Sequence, residues 1–130
     1  MYYKKELGEN GEDIAYKFLK SKGYSIINRN YKCKIGEIDI IALDESKNEL
    51  EIVFVEVKTR VSQTYGFPAE AVDKNKARHI FKVAEFYLMM NKIEDIACRF
   101  DVIEILTDRP NIAYIHHVEN AFDKSFTLTK

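Results

Sequence analysis

The 130-residue sequence contains no tryptophan, only two prolines and two cysteines, and five glycines. Each scarcity excludes something. With so few breakers there is no low-complexity tract or linker, no internal repeat is visible, and one domain over residues 1–130 is the simplest organisation. Cys33 and Cys98 are lone thiols without metal-ligand spacing, which argues against a zinc site and more strongly against a disulfide framework. Both are expected to be small, partly buried side chains. No segment approaches the roughly 18 apolar residues of a membrane span. The first residues, Met1-Tyr2-Tyr3-Lys4-Lys5-Glu6, carry no apolar signal-peptide core. No membrane association is expected, and a cytoplasmic location is the default.

Charge of one sign is also missing in bulk: the net charge is −1, which on its face argues against a nucleic-acid binder. Its distribution is less neutral. Residues 17–34 hold Lys17, Lys20, Lys22, Arg29, Lys32 and Lys34 with no acid among them. Residues 35–57 carry seven acids against Lys47 alone. Residues 58–82 then return to Lys58, Arg60, Lys74, Lys76, Arg78 and Lys82 against Glu70 and Asp73. An acidic block framed by basic ones suits either a metal-dependent site on a polyanion or an ordinary solvated surface.

Hydrophobic periodicity supplies the elements. Leu7, Gly11, Ile14, Ala15 and Phe18 predict a helix over 8–21, closed by Gly23. Glu12 sits at the edge of its apolar stripe, able to look toward whatever the helix packs on. Strands are predicted over 24–31, 37–42, 50–60, 99–106 and 112–118, with the polar tract 44–48 as a hairpin turn. In the second of these, Ile38, Ile40 and Ala42 are expected on one face and Asp39 with Glu37 and Ile41 on the other. Residues 61–68 read as a mobile connection broken by Gly66 and Pro68. A helix over 73–91 buries Ala77, Ile80, Phe81, Ala84, Tyr87 and Leu88 and turns Lys74, Arg78 and Lys82 outward, with Lys76 nearer a flank. The order αβββαββ predicts an α/β fold, a mixed four- to five-stranded sheet with a helix on each face.

One strand is chemically odd. With a side-chain period of two, Phe54, Glu56 and Lys58 leave one face of an apolar strand whose other members want burial. Glu45-Ser46-Lys47 matches the same Glu-x-Lys pattern in a polar turn, so the pattern alone is cheap. Context separates the two matches, because Asp39 lies on the neighbouring strand. Strands lie about 4.8 Å apart, so Asp39 and Glu56 would converge on one cation in the right register. Carboxylates suit Mg²⁺ or Mn²⁺, and such an ion lowers the pKa of a bound water. Lys58 would hold that water or offset charge developing on a phosphate, and Glu12 would add a ligand or orient water. A cross-strand ion network of Asp39 or Glu56 with Lys58 and Arg60 fits the same residues.

Asp39 followed by Glu56-Val57-Lys58, after a helix bearing Glu12, resembles the PD-(D/E)XK nuclease superfamily with its restriction-endonuclease-like core. More closely, the chain is similar to the small bacterial YraN-type family of that superfamily. The matching blocks include Gly11-Glu12, Gly36-Glu37-Ile38-Asp39-Ile40-Ile41, Phe54 to Arg60, Pro68-Ala69-Glu70-Ala71-Val72, Lys76, Arg78 and Arg99-Phe100-Asp101-Val102. Ile38 stands where the proline of the superfamily name would be. The resemblance implies metal ligation by Asp39 and Glu56, Lys58 as catalytic lysine, and Glu12 as an extra first-helix acid, as in archaeal Holliday-junction resolvases.

The expectation is therefore a Mg²⁺- or Mn²⁺-dependent nuclease acting on nucleic acid, DNA favoured, perhaps branched. Its rival is a non-catalytic nucleic-acid-binding or adaptor domain that keeps the fold. Arg60, Lys74, Lys76 and Arg78 are the candidate phosphate contacts. With no added specificity domain, selectivity would come from nucleic-acid shape or a partner protein, and a homodimer would let two sites act on two strands. His116-His117 is expected to serve a surface or interface role rather than to bind metal, and Asp101 to be an ion-pair or turn partner.

Overall fold

The computed structural model describes residues 2–61, 74–109 and 111–122. Of the predicted 61–68 connection, Val61 ends β4, and the rest, with Gly66 and Pro68, lies outside the described residues, as does the block 69–72. The elements run β1 (Tyr2–Lys4), α1 (Gly11–Ser21), β2 (Ser25–Lys32), β3 (Glu37–Asp44), β4 (Glu51–Val61), α2 (Lys74–Met90), β5 (Ala97–Arg109) and β6 (Ile112–Val118). They form one mixed sheet in the order β1-β6-β5-β4-β3-β2.

Six strands replace the four or five expected. The extra one, β1, spans three residues, too few to show a period, and exists through its antiparallel pairing with β6. Helix α1 starts later than residue 8 because Gly8 has a left-handed φ of 80°. Asn10 then caps it: its side chain accepts from the Asp13 N–H, and the Asp13 carboxylate accepts from the Asn10 N–H. The helix closes at Lys22 and Gly23, the glycine again left-handed.

Strand β4 is the hinge of the topology, antiparallel to β3 and parallel to β5. Because it is flanked on both sides and covered on both faces, its apolar run is nearly continuous. Val53 and Val55 face α1, packing with Ile14, Ala15, Phe18 and Leu19. Ile52 and Phe54 face α2, packing with Ala77, Ile80, Phe81, Ala84 and Tyr87.

The expected alternation along β3 breaks at one point. Ile40 and Ala42 join the α1 cluster, but Ile38 joins the α2 cluster together with Tyr31, its partner on β2. The adjacent Asn30 has φ 55°, a left-handed residue that interrupts the pleat and lets the strand pair change face. Sequence periodicity assumes an unbroken pleat and so puts Ile38 on the wrong side.

The cysteines also divide. Cys33 is half-buried, as expected, whereas Cys98 is exposed.

Candidate functional site

Following β4 from the core outward leads to the site. Phe54 is buried and stacks on Phe100 at 5.3 Å between ring centroids. Glu56 and Lys58 come next on that face. The β3–β4 ladder ends at Ile40 and Val55. Beyond it the Val57 N–H is taken up not by β3 backbone but by the Asp39 side chain, whose Oδ2 accepts it at 2.8 Å. The carboxylate of Asp39 is thereby fixed beside Glu56, where the two strands part.

Glu56 is 7 % exposed. Its Oε1 lies 3.7 Å from Lys76 Nζ, while its Oε2 is buried with no hydrogen-bond partner. Burial, and then the neighbouring charge of Asp39, push the Glu56 carboxyl up to about 7, against the pull of Lys76 and Lys58. Asp39 is raised for the same first reason, burial, against its Val57 hydrogen bond and Lys76. Lys58 is held below the ordinary lysine value by burial, then by its hydrogen bond to Lys76 and that residue's charge. Lys76 moves the other way, raised through the same bond and by Glu56 and Asp39. Of the two amines, Lys58 is the one more ready to give up its proton.

Lys76, exposed on the flank of α2, thus reaches the cluster through Glu56. The close seating of α2 puts it there. A Cβ added to Gly36, just before β3, would overlap His79 Nε2 and press on Val83, so glycine at 36 lets the helix approach the end of β3. Lys76 lies one turn before Ile80, in the column that continues through Val83 and Tyr87. That column is a signal already present in the helical spacing.

Of the predicted site residues, Asp39, Glu56 and Lys58 come together. Glu12 is half-buried in the first turn of α1, the helix that covers the other face. Its neighbour Gly11 abuts β4 so closely that a Cβ there would overlap Thr59 Oγ1. No hydrogen bond or ion pair among the described residues joins Glu12 to the other three. Among those residues no group of three or more His, Cys, Asp or Glu is gathered for a metal, so the carboxylate set is the pair Asp39 and Glu56. Arg60 is exposed two residues past Lys58. Arg78 is half-buried and donates to Asn75 Oδ1 at 3.1 Å. The side chain of Lys74 lies outside the described residues.

Sequence reasoning missed one acid. Glu104 on β5 is the lateral partner of Lys58, and His116 on β6 is the lateral partner of Glu104. Glu104 is 2 % exposed; Oε1 meets His116 Nδ1 at 3.0 Å and Oε2 has no partner. The signal that singled out Glu56, an acid inside an apolar strand, is equally present in Val102-Ile103-Glu104-Ile105.

A second ionic cluster fills the α1 face toward the other end of β4 and β5. Arg99 is 4 % exposed and donates to Asp44, Glu51, both oxygens of Asp101 and Tyr24 Oη at 2.6–3.0 Å. Asp101 also meets His117 Nε2 at 2.7 Å and accepts from the Asn120 N–H at 2.9 Å. Asp101 is therefore the ion-pair partner expected. His117 is not a surface residue, since its side chain is 4 % exposed and locked on Asp101.

Comparison with known proteins finds close relatives of the chain. The model of the uncharacterised protein family UPF0102 matches residues 11–105. The UPF0102 protein of Caldicellulosiruptor saccharolyticus is 46 % identical over 120 residues, 92 % of this chain and 98 % of that protein. The relative in Geotalea daltonii is 48 % identical over 122 residues, covering 94 % and 93 %. That in Caldanaerobacter subterraneus subsp. tengcongensis is 45 % identical over 121 residues, covering 92 % and 96 %.

Proposed function

The chain belongs to the UPF0102 family, whose description assigns no chemistry, and from the site itself we propose a divalent-metal-dependent nuclease. It would hydrolyse phosphodiester bonds of nucleic acid, DNA favoured, on a restriction-endonuclease-like core of the PD-(D/E)XK kind. One observation carries this reading. Two carboxylates, Asp39 and Glu56, share the splayed end of β3 and β4, and Glu56 keeps a buried oxygen with no partner. A buried acceptor left unsatisfied is costly, and Lys76 and Lys58 do not offset the burial and like charge that push the Glu56 carboxyl to about 7.

These residues fit Mg²⁺ or Mn²⁺, held by Asp39 and Glu56, with Glu12 on α1 as the further acid that substrate or ion would recruit. A bound ion of this kind supplies a water of lowered pKa and neutralises charge on a phosphoryl oxygen. The chain's own groups do the rest. Val57 N–H holds one oxygen of Asp39 and leaves the other to a ligand. Lys58, its pKa lowered by burial and then by Lys76, gives up a proton at its Nζ more readily than an ordinary lysine. Lys76, keeping its charge, steadies Glu56 and faces the charge that develops on phosphate. Arg60 is exposed next to the cluster as a phosphate contact.

A second reading has its own support. Lys76 already pairs with Glu56, and among the described residues only two carboxylates gather, as in a nucleic-acid-binding or adaptor domain that turns nothing over. One experiment separates the two. Purified protein is incubated with single-stranded, duplex, flap and four-way-junction DNA and with RNA, in Mg²⁺ or Mn²⁺, beside Asp39→Ala, Glu56→Ala, Lys58→Ala and Glu12→Ala. The nuclease reading expects metal-dependent cleavage lost in the first three variants. Cleavage that survives all three removes the site, and binding without cleavage in any arm favours the adaptor.

A further inference from the structure

Beyond the carboxylates, the face that carries Glu56 and Lys58 continues across the sheet, and no helix among the described residues lies over its β6–β1 side. Register fixes its lateral rows: Lys58, Glu104 and His116 form one, and Arg60, Leu106, Tyr114 and Tyr2 the next. At the far end of the second row Tyr2 and Tyr114 meet edge to face, ring centroids 6.1 Å apart. They are 58 % and 37 % exposed. His116, two residues from Tyr114 on the same strand and the same face, has a side chain 51 % exposed. Its ring is steadied from below by Glu104, a carboxylate buried inside the sheet surface for no reason the core supplies. Large aromatic rings left in water on a β-surface beside cationic side chains are the composition of a platform for bases.

Resting on the nuclease reading above, we propose that this half of the sheet is a subsite for unpaired nucleobases, stacked on Tyr114, Tyr2 and His116. Strand spacing of about 4.8 Å and a rise of about 3.4 Å per residue put the Tyr114 Cα roughly 12 Å from that of Lys58. Bases held there belong to nucleotides adjoining the phosphate at Asp39 and Glu56. Arg60 lies in the same row as the tyrosines, so the backbone of an extended strand has a cation to follow while its bases lie on rings. The substrate class that fits is nucleic acid with a single-stranded stretch next to the scissile position. A fully paired duplex, whose bases are already stacked on one another, gains nothing from the rings.

The test uses the full chain in EDTA, where binding is read without turnover. Fluorescence anisotropy compares a labelled mixed-sequence single-stranded deoxyoligonucleotide with a duplex of equal length. The Tyr2→Ala/Tyr114→Ala double variant should lose roughly 5- to 150-fold in affinity for the single strand and keep its duplex affinity. Tyr114→Phe should bind as the parent does, and Tyr114→Leu, apolar but without a π-face, should not. Photocrosslinking of wild-type protein to an oligonucleotide carrying 5-iododeoxyuridine should label Tyr114, Tyr2 or His116, which needs no variant to fold. Unchanged single-strand affinity in the double variant, equal loss on both DNA forms, or no crosslink at these rings overturns the subsite. So does a dimer in sedimentation that Tyr114→Ala dissolves, since the rings would then serve a second copy of the chain. Absence of cleavage with ring-dependent binding intact would remove the nuclease reading and leave the subsite.

Discussion

Two ionic clusters lie on opposite faces of β4 and β5, and they are built in opposite ways. Around Arg99 every charged oxygen of Asp101 is taken, by guanidinium, imidazole or backbone. The result is ordinary electrostatics made stronger: Asp44 and Asp101 are held below their usual range, despite burial, by their hydrogen bonds and Arg99. Around Glu56 burial is only partly compensated, by Lys76 and Lys58. Two carboxylates repel, one oxygen has no partner, and two amines crowd together so that one is depressed. A buried network that satisfies itself holds a fold; one that does not is waiting for something to complete it.

The largest way to break the contrast is at Arg99. Arg99→Met leaves Asp44 and Asp101 buried without their cation, and unfolding in urea should show a loss of about 3–5 kcal/mol. Glu56→Gln, at a site equally deep, should not destabilise the protein at neutral pH. If the two substitutions cost the same, the distinction fails.

Next in size is pH. Glu56, raised from its unfolded value of 4.5 to about 7, contributes stability fully present below pH 4.5 and lost as pH rises through 7. Two and a half pH units correspond to up to about 3 kcal/mol. Asp39, also raised, acts in the same direction. Asp44 and Asp101 are depressed and act oppositely: their contribution is present above the usual carboxylate range and lost as pH falls below it. The unfolding free energy should therefore decline between pH 5 and pH 8 in the parent. In Glu56→Gln most of that decline should vanish while the acid-side loss remains.

A cation should repair the alkaline side. At pH 8, Mn²⁺ at about 100 times its dissociation constant should stabilise the parent by about 2.7 kcal/mol through linkage. Asp39→Ala and Glu56→Gln should show no such rise in melting temperature, and an equal rise in either variant would remove the metal assignment. The smallest effect is expected from Lys76→Ala. Without that amine, Lys58 should titrate closer to an ordinary lysine, moving one limb of a pH–rate profile to higher pH.

Much of this layout was legible in the chain. The β6 limits are those predicted, and α1, β2 to β5 and α2 differ at their ends by a few residues at most. The pairing of Asp39 with Glu56 followed from two strands and a turn. What was not legible depended on three dimensions. β1 is defined by a partner more than a hundred residues away. The turn of Ile38 to the α2 face depends on the backbone of Asn30. The helical column through Ile80, Val83 and Tyr87 sets Lys76 apart from Arg78 in the sequence, yet only the close approach of α2 over Gly36 brings it to Glu56. Glu104, by contrast, carries in sequence the same signal as Glu56, an acid inside an apolar strand.

The Val57 amide, finally, links this chemistry to something directly observable. Its proton is bonded to Asp39 rather than to another strand, so its nitrogen and proton chemical shifts respond to whatever that carboxylate binds. Hydrogen exchange at this single position would slow when a cation or substrate anchors Asp39 and quicken when the carboxylate is protonated. A backbone group in the middle of the sheet would thus serve as a spectroscopic gauge of what Asp39 binds, without any label added to the protein.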